Sequence, residues 1–132
     1  MKTFQVRTRS RAELVDVTGE VARIIAESGI LEGLATVYVP HTTAGVTINE
    51  NADPDVKRDI IAFMDRLIPR DWGFRHIEGN SDAHIKASMM GFSAQIPVTG
   101  GRPALGTWQG IYFAEFDGPR SRKCHVTVTP SR

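Results

Sequence analysis

The sequence has one cysteine, Cys124, among its 132 residues. That excludes an intrachain disulfide and any cysteine-based zinc knuckle. It has little net charge: 16 basic residues against 15 acidic ones leave +1, far from the basic excess of a general nucleic-acid binder. No apolar run is long enough to predict a membrane span. The start, Met1-Lys2-Thr3-Phe4-Gln5-Val6-Arg7, alternates and holds no apolar signal-peptide core, so a cytoplasmic location is expected. Linkers, internal repeats and low-complexity stretches are also missing. What is present, 41% apolar and 23% charged residues, is the balance of a folded chain. The length predicts one domain over 1–132.

Periodic segments follow one another with short turns. Alternation predicts a strand over 3–8. Asp16 or Thr18 can cap a helix that runs to Ser28 and stops at Gly29, with Val17, Val21, Ile24 and Ile25 on one stripe. The β-branched run 34–39 reads as a strand ending at Pro40, and 44–49 as a second. Asp53-Pro54 is the clearest helix start, because aspartate accepts from free N–H groups and proline at the first helical position loses no hydrogen bond. Val56, Ile60, Phe63, Met64 and Leu67 then form an apolar stripe until Pro69. A short helix from Ser81 or Asp82 to Met90 is followed by Gly91. Strands over 92–98, 107–116 and 122–129 complete the chain, joined by glycine-rich turns. Helices early and strands late, without regular βαβ alternation, predict an α+β fold: a largely antiparallel sheet or sandwich with helices packed against it.

Chemistry-bearing residues are few. Of the four histidines, His41 follows a strand end, His76 lies in a loop and His84 in the first turn of a short helix. Neutral imidazoles suit zinc or another transition metal, and three of them leave a position open for water or substrate; the plainer alternative is that each bonds a turn. His125 alternates with Cys124 and Val126 and should point outward, while Cys124 reads as a small buried hydrophobe. Glu50 and Asn51 lie in a polar run before Asp53. Glu50 is a candidate general base or histidine orienter, with turn chemistry as the alternative. Asp82 is a helix cap, a partner that fixes an imidazole tautomer, or both. Lys86 shares its helix. Arg120 and Arg122 form a basic cluster suited to clamping phosphate, or to guarding a sheet edge. Glu115, on the face of Ile111 and Phe113, is a candidate buried partner for an arginine or an interface residue, and Trp108 reads as core or subunit interface.

Taken in order, His41-Thr42-Thr43-Ala44-Gly45, Asn49-Glu50-Asn51-Ala52-Asp53-Pro54-Asp55-Val56, Ser81-Asp82-Ala83-His84-Ile85-Lys86-Ala87, Gly106-Thr107-Trp108-Gln109-Gly110-Ile111 and Glu115-Phe116-Asp117-Gly118-Pro119-Arg120 resemble the YjbQ-like family, often labelled secondary thiamine-phosphate synthase. The resemblance covers residues 4 to 129. It implies an α+β fold built around a mostly antiparallel β-sandwich with helices packed against it, and a homotrimer in which His41, His76 and His84 gather in one pocket near a subunit boundary and take an anion or a divalent metal ion, zinc or another transition metal. It further implies that Glu50, Asp82 and His84 are catalytic and that Asn51, Lys86, Arg120 and Arg122 bind a phosphorylated small-molecule substrate. The implied reaction joins a pyrimidine methyl diphosphate to a thiazole phosphate and releases pyrophosphate. Two alternatives stay open: a metal-assisted hydrolase with Glu50 as base, and a trimeric module that binds a metal or an anionic metabolite without turnover. Neither a nucleic-acid nor a membrane partner is expected.

Overall fold

A computed structural model describes residues 1–131. The chain runs β1 (Lys2–Arg7), β2 (Glu13–Asp16), α1 (Thr18–Ser28), β3 (Glu32–Tyr38), β4 (Ala44–Glu50), α2 (Pro54–Leu67), α3 (Ser81–Met90), β5 (Ser93–Thr99), β6 (Arg102–Pro103), β7 (Gln109–Glu115) and β8 (Ser121–Pro130). All strand pairs are antiparallel. One sheet has the order β1-β8-β3-β5-β6 and the other β2-β7-β4, which is the α+β arrangement of two antiparallel sheets that the element pattern predicts.

Alternation builds the layers. Phe4 and Val6 from β1, Ala35 and Val37 from β3, Val46 from β4, Ile111 and Phe113 from β7, and Cys124 and Val126 from β8 share one core with Val21, Ile24 and Ile25 of α1. The opposite face of the smaller sheet presents Leu14, Tyr112 and Ala114 to a second cluster, which includes Ala83 and Ala87 of α3 and has Ile60, Ile61 and Met64 of α2 against it. β7 is therefore covered on both faces, and it carries Glu115 into the interior at its end.

The capping logic holds with one change. Asp53 accepts from the Asp55 backbone at 2.9 Å, and Gly29 closes α1 in the left-handed region at φ 73°, where a side chain would be strained. Before α1, Asp16 accepts from both the backbone and the hydroxyl of Thr18, although the capping position itself is Val17. Two strands escape the sequence reading. β2 is four residues long and β6 two, too short for alternation to register. The apolar stripe of α2 is also less buried than its periodicity suggests: no residue of that helix is buried, and Phe63 and Leu67 are 62% and 52% exposed. Trp108, read as core or interface, is 64% exposed in this chain.

Candidate functional site

A cavity of about 470 Å³ opens where three connections meet, lined by His41, Thr43, His76, Asn80, His84, Asp117, Arg120 and Arg122 among others. The β3–β4 connection brings His41 and Thr43. The β7–β8 connection brings Asp117 and Arg120, and the start of β8 brings Arg122. The start of α3 brings Asn80 and His84. Backbone bonds lock the connections together: Phe116 N–H donates to Thr43 O at 3.2 Å, Thr8 N–H to Arg120 O at 3.0 Å, and Gly118 N–H to Arg11 O at 2.9 Å. Gly118, joined to Pro119 by a cis peptide, sits so close that a Cβ there would lie 2.5 Å from Ser10 O and 2.9 Å from Glu115 Cγ.

The site is founded on a buried ion pair. Glu115 is fully buried and Arg122 only 3% exposed. Arg122 donates through Nε to Glu115 Oε1 at 2.8 Å and through Nη2 to Glu115 Oε2, a two-pronged match that only a guanidinium makes. Nη2 also donates to Thr43 Oγ1 at 2.8 Å. The remaining nitrogen, Nη1, bonds no protein atom among the described residues. It is not one of their sealed-off orphans either, since Asn80 Oδ1 alone has that status. Arg120 is half exposed and bonds Asp117 Oδ2 at 3.0 Å and Asp117 O at 2.9 Å.

The histidines fall into two roles. His41 packs edge-on to Phe113, and its Nε2 accepts the Lys123 N–H at 2.9 Å. The neutral ring therefore carries its proton on Nδ1. Burial, and after it the Arg122 charge, push the His41 imidazole below its ordinary value, which favours that neutral form. His76 and His84 lie edge to face with ring centroids 5.5 Å apart, and His76 Nε2 is 4.0 Å from Glu78 Oε1. Because His41 has committed Nε2 to a backbone donor, these three histidines do not form a convergent metal cage as placed. Among the described residues, no group of three or more His, Cys, Asp or Glu side chains is arranged to hold an ion.

The other residues singled out by sequence lie elsewhere. Glu50 and Asn51 sit at the far end of β4, which pairs Ala44 with Glu115 near the cavity and Glu50 with Gln109 away from it. Their polar atoms serve the local turn: Glu50 accepts from Ala52 N at 3.3 Å, and Asn51 Oδ1 accepts the Tyr112 hydroxyl at 2.6 Å. Asp82 lies beneath the site, fully buried. It takes both terminal nitrogens of Arg11 at 3.1 Å and Lys86 Nζ at 3.0 Å. Burial works against its charge most strongly, yet the bonds from Arg11 and Lys86 prevail and hold its carboxyl below the usual range. Lys86, 1% exposed, reaches on to Asp65 at 2.6 Å and does not line the cavity. His125 stacks on Tyr38 and bonds Thr3 on the outer sheet face. Sequence reasoning passed over Asn80, Thr43 and Asp117. Asp117 lies between Glu115 and Arg120 in the run Glu115-Phe116-Asp117-Gly118-Pro119-Arg120, and Asn80 stands directly before the short helix.

A family model described as UPF0047 protein YjbQ-like matches residues 2–131. The UPF0047 protein MJ1081 of Methanocaldococcus jannaschii is 58% identical over 125 residues, spanning 95% of this chain and 91% of that protein. The UPF0047 protein YugU of Bacillus subtilis is 53% identical over 129 residues, 97% of this chain and 98% of its own. Among solved structures, an uncharacterized conserved protein of the YjbQ/UPF0047 family from Clostridium acetobutylicum superposes with a TM-score of 0.96 at 51% identity, covering 98% of this chain and 100% of that one. The hypothetical protein APE1520 of Aeropyrum pernix gives 0.93 at 41%, with 98% of both chains covered.

Proposed function

We propose, from the premise that this chain belongs to the YjbQ-like UPF0047 family, that its cavity binds a phosphorylated small molecule as the substrate of a transferase of thiamine-phosphate-synthase type. One observation carries the reading: a cavity-lining guanidinium held in place by a buried carboxylate. Such a group is oriented before the ligand arrives, so little ordering is lost on binding. Arg120 stands beside it, and His41 in its Nδ1–H tautomer adds a neutral donor. The cavity volume lies in the range that encloses a small metabolite.

In the reaction implied by the resemblance, negative charge builds on the departing pyrophosphate. Arg122 and Arg120 would stabilise that charge through directed N–H bonds, and His84, at the mouth of α3, is the candidate for proton handling. Glu50, Asn51, Asp82 and Lys86 take supporting rather than contact roles within one chain. Calorimetric titration with inorganic phosphate, followed by turnover of a pyrimidine methyl diphosphate with a thiazole phosphate, tests the proposal. Phosphate binding that weakens in Arg122→Lys, which keeps a positive charge against Glu115 but loses the guanidinium fork, with turnover lost in His84→Ala while the fold persists, is the expected result. Binding without turnover would leave the anionic-metabolite module, and no phosphate binding would overturn the reading.

The contact between His76 and His84 favours a second reading, in which those two imidazoles supply part of a transition-metal site and the metal would act as a Lewis acid. Elemental analysis of untagged protein beside His84→Ala decides it: a near-stoichiometric metal that the variant loses supports it, and none in either refutes it. The homotrimer is likewise proposed, supported by the exposed apolar side chains of Phe63, Leu67, Trp72 and Ile77, and light scattering at known concentration measures it. No helix among the described residues is long and apolar enough to cross a membrane.

A further inference from the structure

The α3 wall of the cavity is held differently from the other two. The β3–β4 and β7–β8 connections are joined by a backbone bond and by Arg122. The helix instead packs Ala83 and Ala87 into the cluster of Leu14, Tyr112 and Ala114, and its start makes no side-chain capping bond. Burial of such small apolar groups is non-directional, so it leaves open how the helix is turned about its axis. An ion network supplies the direction. Arg11 donates through Nη1 to Asp82 Oδ2 and through Nη2 to Asp82 Oδ1, both at 3.1 Å. Asp82 also accepts from Lys86 Nζ at 3.0 Å, and Lys86 reaches Asp65 of α2 at 2.6 Å. Such a buried set of charges gains little over an apolar filling of the same volume, whereas a guanidinium–carboxylate fork fixes geometry along two bonds.

Arg11 holds a second wall as well. Its carbonyl oxygen accepts the Gly118 N–H at 2.9 Å, within the connection that carries Asp117 and Arg120. One residue thus grips the arginine connection with its backbone and the histidine helix with its side chain. Asp82 and His84 stand two residues apart on α3, about 200° around the helix, so the turn that Asp82 fixes is the turn that aims His84. A rotation of about 10° moves a side-chain tip roughly 5–6 Å from the axis by about 1 Å. A misplacement of that size can cost a reaction about a hundredfold.

We infer that Arg11 is a positioning residue of the site: its carbonyl holds the connection that carries Arg120, its guanidinium holds α3 through Asp82, and together they set His84 against the arginine pair. The inference rests on the phosphate reading above, in which these groups face one ligand, and adds to it a residue that is not among those lining the cavity.

The test is histidine-ring NMR of the full chain, without and with saturating inorganic phosphate, on the wild type and on the triple variant Arg11→Met, Asp82→Leu, Lys86→Met. The variant removes the charges together and keeps the Arg11 carbonyl. Its thermal midpoint is expected within about 5 °C of the wild type, because apolar side chains replace a buried ion set at little or no loss. In the wild type, phosphate is expected to move the ring signals of both His41 and His84. In the variant the His84 displacement should fall to about half or less, while that of His41, anchored by the Lys123 N–H and not through Arg11, persists. A network that serves stability alone gives equal His84 displacements in two equally stable proteins, and that result would overturn the inference. Phosphate that binds the wild type without moving His84, or displacements of both rings lost together in the variant, would do the same. Should the triple variant not fold, Arg11→Lys, which keeps a charge beside Asp82 and loses the fork, carries the comparison. Absence of phosphate binding to the wild type is the separate failure: it refutes the phosphate reading, and the inference falls with it.

Discussion

Glu115→Gln is the substitution that most directly tests how the site is founded. The Glu115 carboxylate is fully buried and accepts from Thr8 Oγ1 at 2.8 Å, Arg122 Nε at 2.8 Å, Arg122 Nη2, and the backbone N–H groups of Phe116 at 3.1 Å and Asp117 at 3.0 Å. Donors surround both oxygens. A carboxamide keeps the shape, but whichever way it turns its NH2 meets donors, and Arg122 loses its counter-charge where water cannot replace it. Breaking a buried pair from one side costs about 3–5 kcal/mol, a large part of the roughly 5–15 kcal/mol that holds a domain folded. The midpoint temperature should fall by about 10–20 °C. Urea unfolding followed by circular dichroism, with an unchanged m value, measures the loss. The double variant Glu115→Met, Arg122→Met removes both charges and should be less damaged than Glu115→Gln alone. A Glu115→Gln protein within about 1 kcal/mol of wild type, or a double variant worse than either single one, would refute the claim that this pair is closed to solvent.

Other perturbations give separate checks. Burial pushes the Cys124 thiol up to about 12, so the folded protein should resist alkylation at pH 8 and react only in denaturant, as mass spectrometry would record. The Asp82 carboxyl is held below its ordinary value in the folded chain. As pH falls the unfolded chain takes the proton first, so the stability this carboxylate supplies is complete above about pH 4 and is lost below it. Asp82→Asn should flatten that acid limb of a stability–pH curve while lowering its plateau. His41 is also held below its ordinary value, which by the same sign starts a shallower loss below about pH 6.5 that His41→Gln should remove. Asp53→Ala deletes the cap of α2 and should cost about 1 kcal/mol in urea unfolding.

Much of this architecture is legible in the sequence because its signals are local. Asp53-Pro54, Gly29 and Gly91 end helices by backbone chemistry that needs no tertiary partner, and the alternation of Cys124, Val126 and their neighbours places them inward without a structure. Glu115 shares a face with Ile111 and Phe113, which leaves a buried partner for an arginine or an interface residue; the structure decides for the first and gives the arginine as Arg122. The convergence of His41, His76 and His84 on one cavity was not derivable from spacing, since it depends on three connections meeting, and it entered through the resemblance. The polar run around Glu50 looked too rich for a single cap, yet the structure gives Asn49, Glu50, Asn51 and Asp53 each a bond of its own in that turn or to Tyr112. Asn80 could not be singled out at all. Its bond to Asp117 spans 37 residues of sequence, and a sequence records residues, not which of them meet.

The charge arithmetic around the cavity leads to a final expectation about how an anion is held. Arg120 and Arg122 are each paired with a carboxylate, Asp117 and Glu115, and Glu78 also lines the cavity. Two guanidinium groups thus share the lining with two carboxylates, Asp117 and Glu78, and Glu115 offsets Arg122 from within, so the lining itself supplies little long-range positive field. What remains is short-range: N–H groups aimed from fixed positions, one of them on a nearly buried guanidinium that salt screens little. Phosphate affinity should therefore change by less than about threefold between 0.1 and 0.5 M sodium chloride, whereas a site built on unpaired surface cations would lose most of its affinity over that interval. Titration at the two salt concentrations distinguishes the cases. A steep decline would mean that exposed cations such as Lys123 or Arg7, and not the Glu115-anchored guanidinium, hold the anion. A flat response together with weakened binding in Arg122→Lys, which keeps the charge opposite Glu115, would assign the affinity to directed hydrogen bonds.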